Sequence, residues 1–257
     1  MSAPLPVRVA SMGGVGTTAI LEYLEAEAIA ANPPRGVHNP AKHAVTPPAG
    51  GVDRALFLVG CPYLSLESLF RRGYDALHYA NVAGLLPEEL RLTSEDAWQR
   101  AVRHFGLRER EDGAWVDGAG RFADAVGAIA WARRRGEERE HALRELTAFL
   151  TKLRRESYRD LDGYLERGDD LFRWREQHRA WSAPAPYPLR MAHFESVFRQ
   201  PGPTLQFLGV PEERWSRFPA LRSRASTLAG WSAVRKRRAE ALYGALAEAI
   251  RQFESRA

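Results

Sequence analysis

The first 75 residues show a pattern of short apolar runs, each followed by a polar turn and a longer mixed segment. Residues 5–10 form the first apolar run, and residues 54–60, "RALFLVG", form the second. Short apolar runs next to glycine are typical of buried parallel strands. The segments after them, at 17–31 and from Pro62 onward, have the mixed composition of helices. Strand, loop and helix thus occur twice, which predicts an α/β fold with a central parallel sheet flanked by helices.

The remainder of the chain predicts helices and one further strand. Residues from about 85 to 180 are charged and mostly helical in pattern, with one turn in "REREDGAWVDGAGR". Residues 187–195 predict a third buried strand, and 201–211 and 230–254 predict two later helices. The chain contains no internal repeat and no low-complexity tract. We therefore predict one domain over residues 1–257, with a helical insert at about 85–180.

Composition narrows the function classes. The chain has 45% hydrophobic and 27% charged residues, a net charge of +5 and one cysteine, Cys61. A single cysteine excludes an intramolecular disulfide framework and a cysteine-built metal site. Acidic and basic residues alternate along the predicted helices, which favours solvated faces over nucleic-acid binding. Because no apolar segment is long enough for a leader or a membrane span, we expect a cytoplasmic protein without a membrane span.

The candidate chemistry begins in a glycine-rich turn within "RVASMGGVGTTAILEYL". A glycine-rich turn between a strand and a helix directs backbone N–H groups and the helix dipole at one point. We predict that phosphate binds there, on Gly13, Gly14, Val15, Gly16, Thr17 and Thr18. The alternative is a tight structural turn with a threonine cap. The Walker A pattern fails, since Ser11 replaces its first glycine and Thr17 replaces its lysine.

The turn resembles the donor-binding loop of sulfotransferases that use 3′-phosphoadenosine 5′-phosphosulfate (PAPS). That family carries P-[KR]-[SA]-G-T-T after its first strand, and "GGVGTT" matches the Gly-Thr-Thr end. The resemblance implies that Gly16, Thr17 and Thr18 hold the 5′-phosphosulfate side of the donor. The basic residue of the family falls at Gly14, so this chain lacks it.

Further segments resemble the same family in the same order. "PAKHAVTPP" supplies Lys42 and His43 where the family often has a Lys-His pair. "CPYLSLES" keeps Pro62 and Ser68 of R-[ND]-P-x5-S, with Gly60 at the arginine position. "HRAWSAPAPYPLRMAHFESVF" and "LQFLGVP" match the later H…W, R-Y-E-D-L and FLG segments.

The resemblance implies an activity and its reactants. It implies a P-loop sulfotransferase-like fold that moves a sulfuryl group from PAPS to a hydroxyl or amine, leaving PAP as product. The acceptor would be a small molecule or a glycan, and no metal is expected. The unmatched helical segment leaves the acceptor and the oligomeric state open.

The long Pro- and Gly-rich loop at 32–53 holds the candidate catalytic residues. His43 is the candidate general base, because an imidazole titrates near neutral pH. His38 is its rival in the same loop. Lys42 is the candidate for the cation missing at Gly14. The alternative for each of these side chains is an ordinary solvent-exposed loop position.

The 3′-phosphate of the donor is assigned to residues after the second strand. We predict that Ser68 lies in the first turn of the helix after Pro62, and that Arg72, one turn on, replaces the arginine missing at Gly60. The alternative for Arg72 is a solvated position near the helix end. Glu195, predicted on the third strand, is interpreted as structural.

Two other functions stay open at this level. A nucleotide-binding P-loop kinase-like protein would need ATP and Mg²⁺, and the missing loop lysine argues against it. A non-catalytic protein of sulfotransferase fold is the other alternative, because two family cations are absent from their usual positions.

Overall fold

The structure, a computed structural model, describes residues 6–32, 40–85, 108–109, 115–116, 149–220 and 228–254. Its strands are β1 (Val7–Ser11), β2 (Arg54–Val59), β3 (Arg108–Glu109), β4 (Trp115–Val116) and β5 (Leu189–His193). Its helices are α1 (Thr17–Ala26), α2 (Pro62–Arg71), α3 (Asp75–Val82), α4 (Leu161–Arg167), α5 (Trp174–Trp181), α6 (Phe194–Arg199), α7 (Gly202–Phe207) and α8 (Ala233–Glu254). Residues 149–157 are also helical, and Pro40–His43 and Glu212–Arg217 form 3₁₀ helices.

The sheet has the strand order β1-β2-β5, and both pairings are parallel. Val9 pairs with Leu56, and Phe57 pairs with Met191. Because the strands are parallel, their carboxyl ends meet at one edge, where open α/β sheets bind ligands. The predicted α/β class with a parallel sheet is confirmed, with three strands in the described residues.

The core lies on both faces of the central strand β2. Residues 55–59 are buried, as expected for a strand covered by helices on each side. Phe57 stacks on Trp181 of α5 with the ring centroids 4.9 Å apart. Trp181 and Trp231 are buried, while Trp215 packs against the core with part of its surface exposed.

Two element ends differ from the sequence prediction. Helix α1 ends at Ala26 instead of residue 31, because Ala28 takes a left-handed φ of 58° and Ala31 pairs with Val7 beside the sheet. Strand β5 ends at His193, so Glu195 lies in the first turn of α6 rather than on a strand. Its carboxylate pairs with Arg199 at 3.2 Å, one helical turn away.

The segment at 85–180 is described only in part. Its described helical parts are residues 149–157, α4 and α5. The segment of the predicted turn includes an antiparallel strand pair, β3 with β4. In the described parts of the chain, no helix is both long and apolar enough to cross a membrane.

A buried carboxylate joins the helix at 149–157 to α3. Both oxygens of Asp75 accept hydrogen bonds from Arg154, at 2.8 Å each, and the Tyr158 hydroxyl donates to the same carboxylate. Asp75 is almost completely buried, so the pairing offsets the cost of removing this charge from water. The contact also raises the pKa of Arg154 against the opposing effect of its burial.

Candidate functional site

A glycine-rich loop connects β1 to α1 at the carboxyl edge of the sheet. Gly13, Gly14 and Gly16 have φ angles of 96°, 66° and 71°, a region that favours glycine. Helix α1 begins at Thr17, and its N-cap residue, Gly16, has no side chain to cap the first amide groups. The first amides of a helix have no intrahelical partner and attract anions. The strand–loop–helix order is therefore confirmed, and phosphate binding stays a prediction.

Ser11, the last residue of β1, holds this loop through hydrogen bonds to its side chain. The Thr17 hydroxyl donates to Ser11 Oγ at 2.6 Å, and the Gly13 amide donates to the same atom at 3.2 Å. The Thr17 proton is thus directed into the protein, while the Thr18 side chain is half-buried at the surface. In the sequence, Ser11 was identified only as the residue that replaces the first glycine of the Walker A pattern. Its position two residues before Gly13 was the signal for this role.

His78 of α3 packs against the loop from one side. A β-carbon on Gly13 would lie 2.8 Å from His78 Cε1, so the Cε1 edge of the ring faces Gly13. The indole N–H of Trp174 donates to His78 Nε2 at 3.2 Å, which places the proton of the neutral ring on Nδ1. Burial, together with the charge of Lys42, lowers the pKa of His78 to about 3. Sequence reasoning missed this residue, because a lone histidine in a helix carries no local signal.

His43 lies at the same edge of the sheet, although 32 residues of chain separate it from Ser11. Its Nδ1 is 3.4 Å from the Ser11 carbonyl oxygen. Its ring meets the His78 ring edge to face, with centroids 4.8 Å apart. A carbonyl only accepts, so a hydrogen bond at this contact requires the His43 proton on Nδ1, with the lone pair of the neutral ring on Nε2. The rival base, His38, lies outside the described residues.

Lys42 is half-buried next to His43 in the 3₁₀ helix. Burial is the main cause of the low pKa of His78, the ring that packs on Gly13, and the positive charge of Lys42 lowers that pKa further. Lys42 therefore interacts electrostatically with His78, which contacts the glycine loop. Its role as the cation that replaces the one missing at Gly14 stays a prediction.

Helix α2 presents a different serine to the loop from the one predicted. The helix begins at Pro62, so Ser68 is its seventh residue, and its placement in the first turn was wrong. The serine of the first turn is Ser65, which is fully buried. A β-carbon on Gly14 would lie 3.4 Å from the Ser65 backbone. Ser65 was not predicted, because the family pattern contains only the later serine, Ser68.

Arg72 caps the far end of α2. Its backbone amide and its Nε both donate to the Ser68 carbonyl, the side-chain bond measuring 3.1 Å. Its guanidinium lies 5.1 Å from the centre of the Tyr74 ring. At a rise of about 1.5 Å per residue, it is about 10 Å along the helix from Ser65. The structure therefore pairs Arg72 with Ser68, and the 3′-phosphate role of both stays a prediction.

Gly60 follows β2 at the position where the family has an arginine. A β-carbon there would lie 2.9 Å from Val15 Cγ1 and 3.0 Å from Phe194 Cδ1. Side-chain packing therefore fills the space that an arginine stem would need. Glycine at this position is explained by the approach of the loop and α6 to the strand end.

Comparison with protein-family models, with curated proteins and with solved structures gives no match for this chain. The class defined by its own geometry is an α/β protein with a parallel sheet and a glycine loop at the carboxyl edge. The resemblance to sulfotransferases rests on the motifs alone. Within the described segments, no group of three or more His, Cys, Asp or Glu side chains is arranged to hold a metal ion.

Proposed function

We propose that this protein is a sulfotransferase that moves a sulfuryl group from PAPS to a hydroxyl or amine of a small-molecule or glycan acceptor. The contact between His43 and Ser11 carries the proposal. It brings a general-base candidate to the strand end from which the glycine loop begins. Proton removal and donor binding are the two requirements of sulfuryl transfer, and both would be met at this edge.

The donor side uses the loop backbone. The first amides of α1 and the Thr18 hydroxyl would donate to the 5′-phosphosulfate, and glycines would let the donor approach the backbone. Lys42 would add the positive charge that Gly14 does not provide. The half-buried setting of Lys42 supports this role, because a charge acts more strongly away from bulk water.

In the proposed reaction, the acceptor oxygen or nitrogen attacks the sulfur of PAPS. The bond between sulfur and the bridging phosphate oxygen breaks, and PAP leaves with the electron pair of that bond. His43 Nε2 takes the proton of the acceptor. The donor loop and Lys42 stabilise the charge that develops on the leaving phosphate.

The 3′-phosphate side of the proposal rests on Ser68 and Arg72. Arg72, like Arg71, is exposed, and partial burial of its guanidinium lowers its pKa against the raising effect of Tyr74. Arg72→Ala should weaken PAP binding, with Arg71→Ala, a change at the exposed neighbouring arginine, as control. Equal PAP affinity in the two variants would remove Arg72 from the site and leave the loop assignment standing.

Thermal-shift measurements with PAP, ATP and ATP–Mg²⁺ test the function. A ligand that binds only the folded state raises the melting temperature with its concentration. We expect stabilisation by PAP without metal, reduced in Thr18→Val and unchanged in the control Thr151→Val at an exposed helix position. Stabilisation by ATP–Mg²⁺ alone would instead support the kinase-like alternative. PAP binding without conversion of PAPS to PAP in the presence of mixed acceptors would support the non-catalytic alternative.

A further inference from the structure

One face of α5 is directed at the histidine pair beside the glycine loop. Trp174, Gln177 and Trp181 lie at i, i+3 and i+7, a spacing that puts them on the same helix face. All three are 0% exposed. Each donates a side-chain N–H to the site, so the face acts as a row of three donors.

The three hydrogen bonds reach consecutive parts of the site. Trp174 Nε1 donates to the ring of His78, as described above. Gln177 Nε2 donates to the His43 carbonyl at 2.8 Å and makes a longer contact of 3.5 Å with the Ala44 carbonyl. Trp181 Nε1 donates to the Ala44 carbonyl at 3.0 Å. The backbone that carries His43 is thus held by α5.

Helix α5 is itself firmly anchored. Asp170 accepts hydrogen bonds from the Trp174 and Arg175 amides, at 3.1 and 2.8 Å, and so caps the first turn. The Tyr243 hydroxyl of α8 donates to the same carboxylate at 2.8 Å. At the other end, Trp181 stacks on Phe57 of the central strand. The donors on α5 therefore have fixed positions relative to the sheet.

We propose that Gln177 is a positioning residue that holds the His43 ring on the Ser11 carbonyl. By fixing the His43 backbone, Gln177 keeps the ring proton on Nδ1 and gives Nε2 one fixed direction. Trp181 supports the same segment one residue later. The catalytic meaning of this arrangement rests on the proposed function, but the arrangement itself is a property of the folded chain.

The tautomer of His43 distinguishes a positioning role of Gln177 from simple stabilisation of the fold. A residue that only stabilises the fold would leave the proton of the folded protein on Nδ1 when it is changed. A positioning residue would release the ring from the Ser11 carbonyl. Nitrogen-15 chemical shifts of the imidazole report the tautomer directly and need neither ligand nor activity.

The experiment compares the full-length protein with Gln177→Met and with the control Gln206→Met, at an exposed position of α7. Wild type and the control should show the Nδ1–H tautomer at His43. Gln177→Met, which keeps the side-chain length but has no amide, should show a mixture of both tautomers. A single unchanged tautomer in folded Gln177→Met would overturn the proposal.

A second variant keeps the test decisive if Gln177→Met does not fold. Trp181→Phe retains an aromatic ring for Phe57 and removes the N–H that binds Ala44, together with part of the buried indole. It should shift the His43 tautomer toward the same mixture, and an unchanged tautomer would count against positioning.

Activity gives an independent measurement. We expect Gln177→Met to lower kcat about tenfold or more, with little change in KM for PAPS, since positioning acts on the base and not on the donor. Unchanged kcat in a folded variant would overturn the positioning role while leaving the sulfotransferase proposal intact. If wild type does not bind PAP, the proposed function fails, and the tautomer result still decides the positioning proposal.

Discussion

The ring of His78 lies directly against Gly13, where a β-carbon would be only 2.8 Å from His78 Cε1. Gly13 also has a φ of 96°, so both its conformation and its neighbour require glycine. The contact couples the candidate donor loop to a neutral histidine, which in turn contacts His43. Part of the glycine pattern is therefore explained by packing inside the protein.

Gly13→Ala should destabilise the fold by about 1–3 kcal/mol, because left-handed strain and the contact with His78 add together. Gly51→Ala is a matched control, since Gly51 has a φ of 73° but no atom within 4 Å of the added β-carbon. The control should lose about 1 kcal/mol from backbone strain alone. Urea unfolding with equal m values measures the difference, and equal losses would show that the His78 contact has no cost.

Replacing Gly60 with arginine should not restore the donor-binding cation of the family. The added side chain would meet Val15 and Phe194 at about 3 Å, so we expect lower stability and no gain in PAP affinity. Gly50→Arg introduces the same charge at an exposed position, where no described atom lies within 4 Å of the added β-carbon, and should leave stability nearly unchanged. A stable Gly60→Arg protein with tighter PAP binding would contradict this packing account.

His78 should make folding stability depend on pH in a defined window. Burial lowers the pKa of His78 to about 3 in the folded protein, whereas an unfolded histidine titrates near 6.5. Below about pH 6.5 the unfolded chain binds a proton that the folded protein does not bind. The contribution of His78 to the free energy of unfolding is therefore fully present above that pH. It is lost toward pH 3, by about 1.4 kcal/mol per pH unit.

Urea unfolding of wild type and His78→Phe between pH 7 and about 4.5 measures this effect. The variant should show a shallower loss of stability, since it has no imidazole to protonate when it unfolds. Titration of the wild-type His78 ring by NMR is the independent check. A midpoint near 6.5 in the folded protein would contradict the buried, neutral assignment.

Lys42→Ala should weaken PAP binding about tenfold, the scale of one charge-assisted hydrogen bond. Lys152→Ala removes the same charge from an exposed position on the helix at 149–157 and serves as control. Calorimetric titration of both variants gives the comparison. Identical PAP affinity in Lys42→Ala and wild type would exclude Lys42 as the replacement cation.

The sequence predicted the strands and helices around the loop, because the composition of each segment indicates its own secondary structure. Strand β2 is a continuous apolar run bounded by glycine, and its burial follows from that composition. The turn before Thr17 could be predicted for the same reason, since its glycines are close together in the sequence. His43 could also be placed near the sheet edge, since its loop connects two neighbouring parallel strands.

The contacts around the loop could not be predicted, because they depend on how separate elements pack. Ser65 and His78 face the loop only once α2 and α3 are folded against it. The spacing of Trp174, Gln177 and Trp181 is visible in the sequence, but their target is set by tertiary structure. Glu195 was misplaced because the polar-apolar pattern continues across the boundary between β5 and α6.

The most direct test of the central claim is calorimetric titration of the wild-type protein with PAP in the presence of EDTA. The account predicts saturable one-to-one binding that needs no metal and is weaker for adenosine 5′-monophosphate, which lacks the 3′-phosphate. Absence of saturable PAP binding at millimolar concentration would contradict the assignment of this loop as a PAPS donor site.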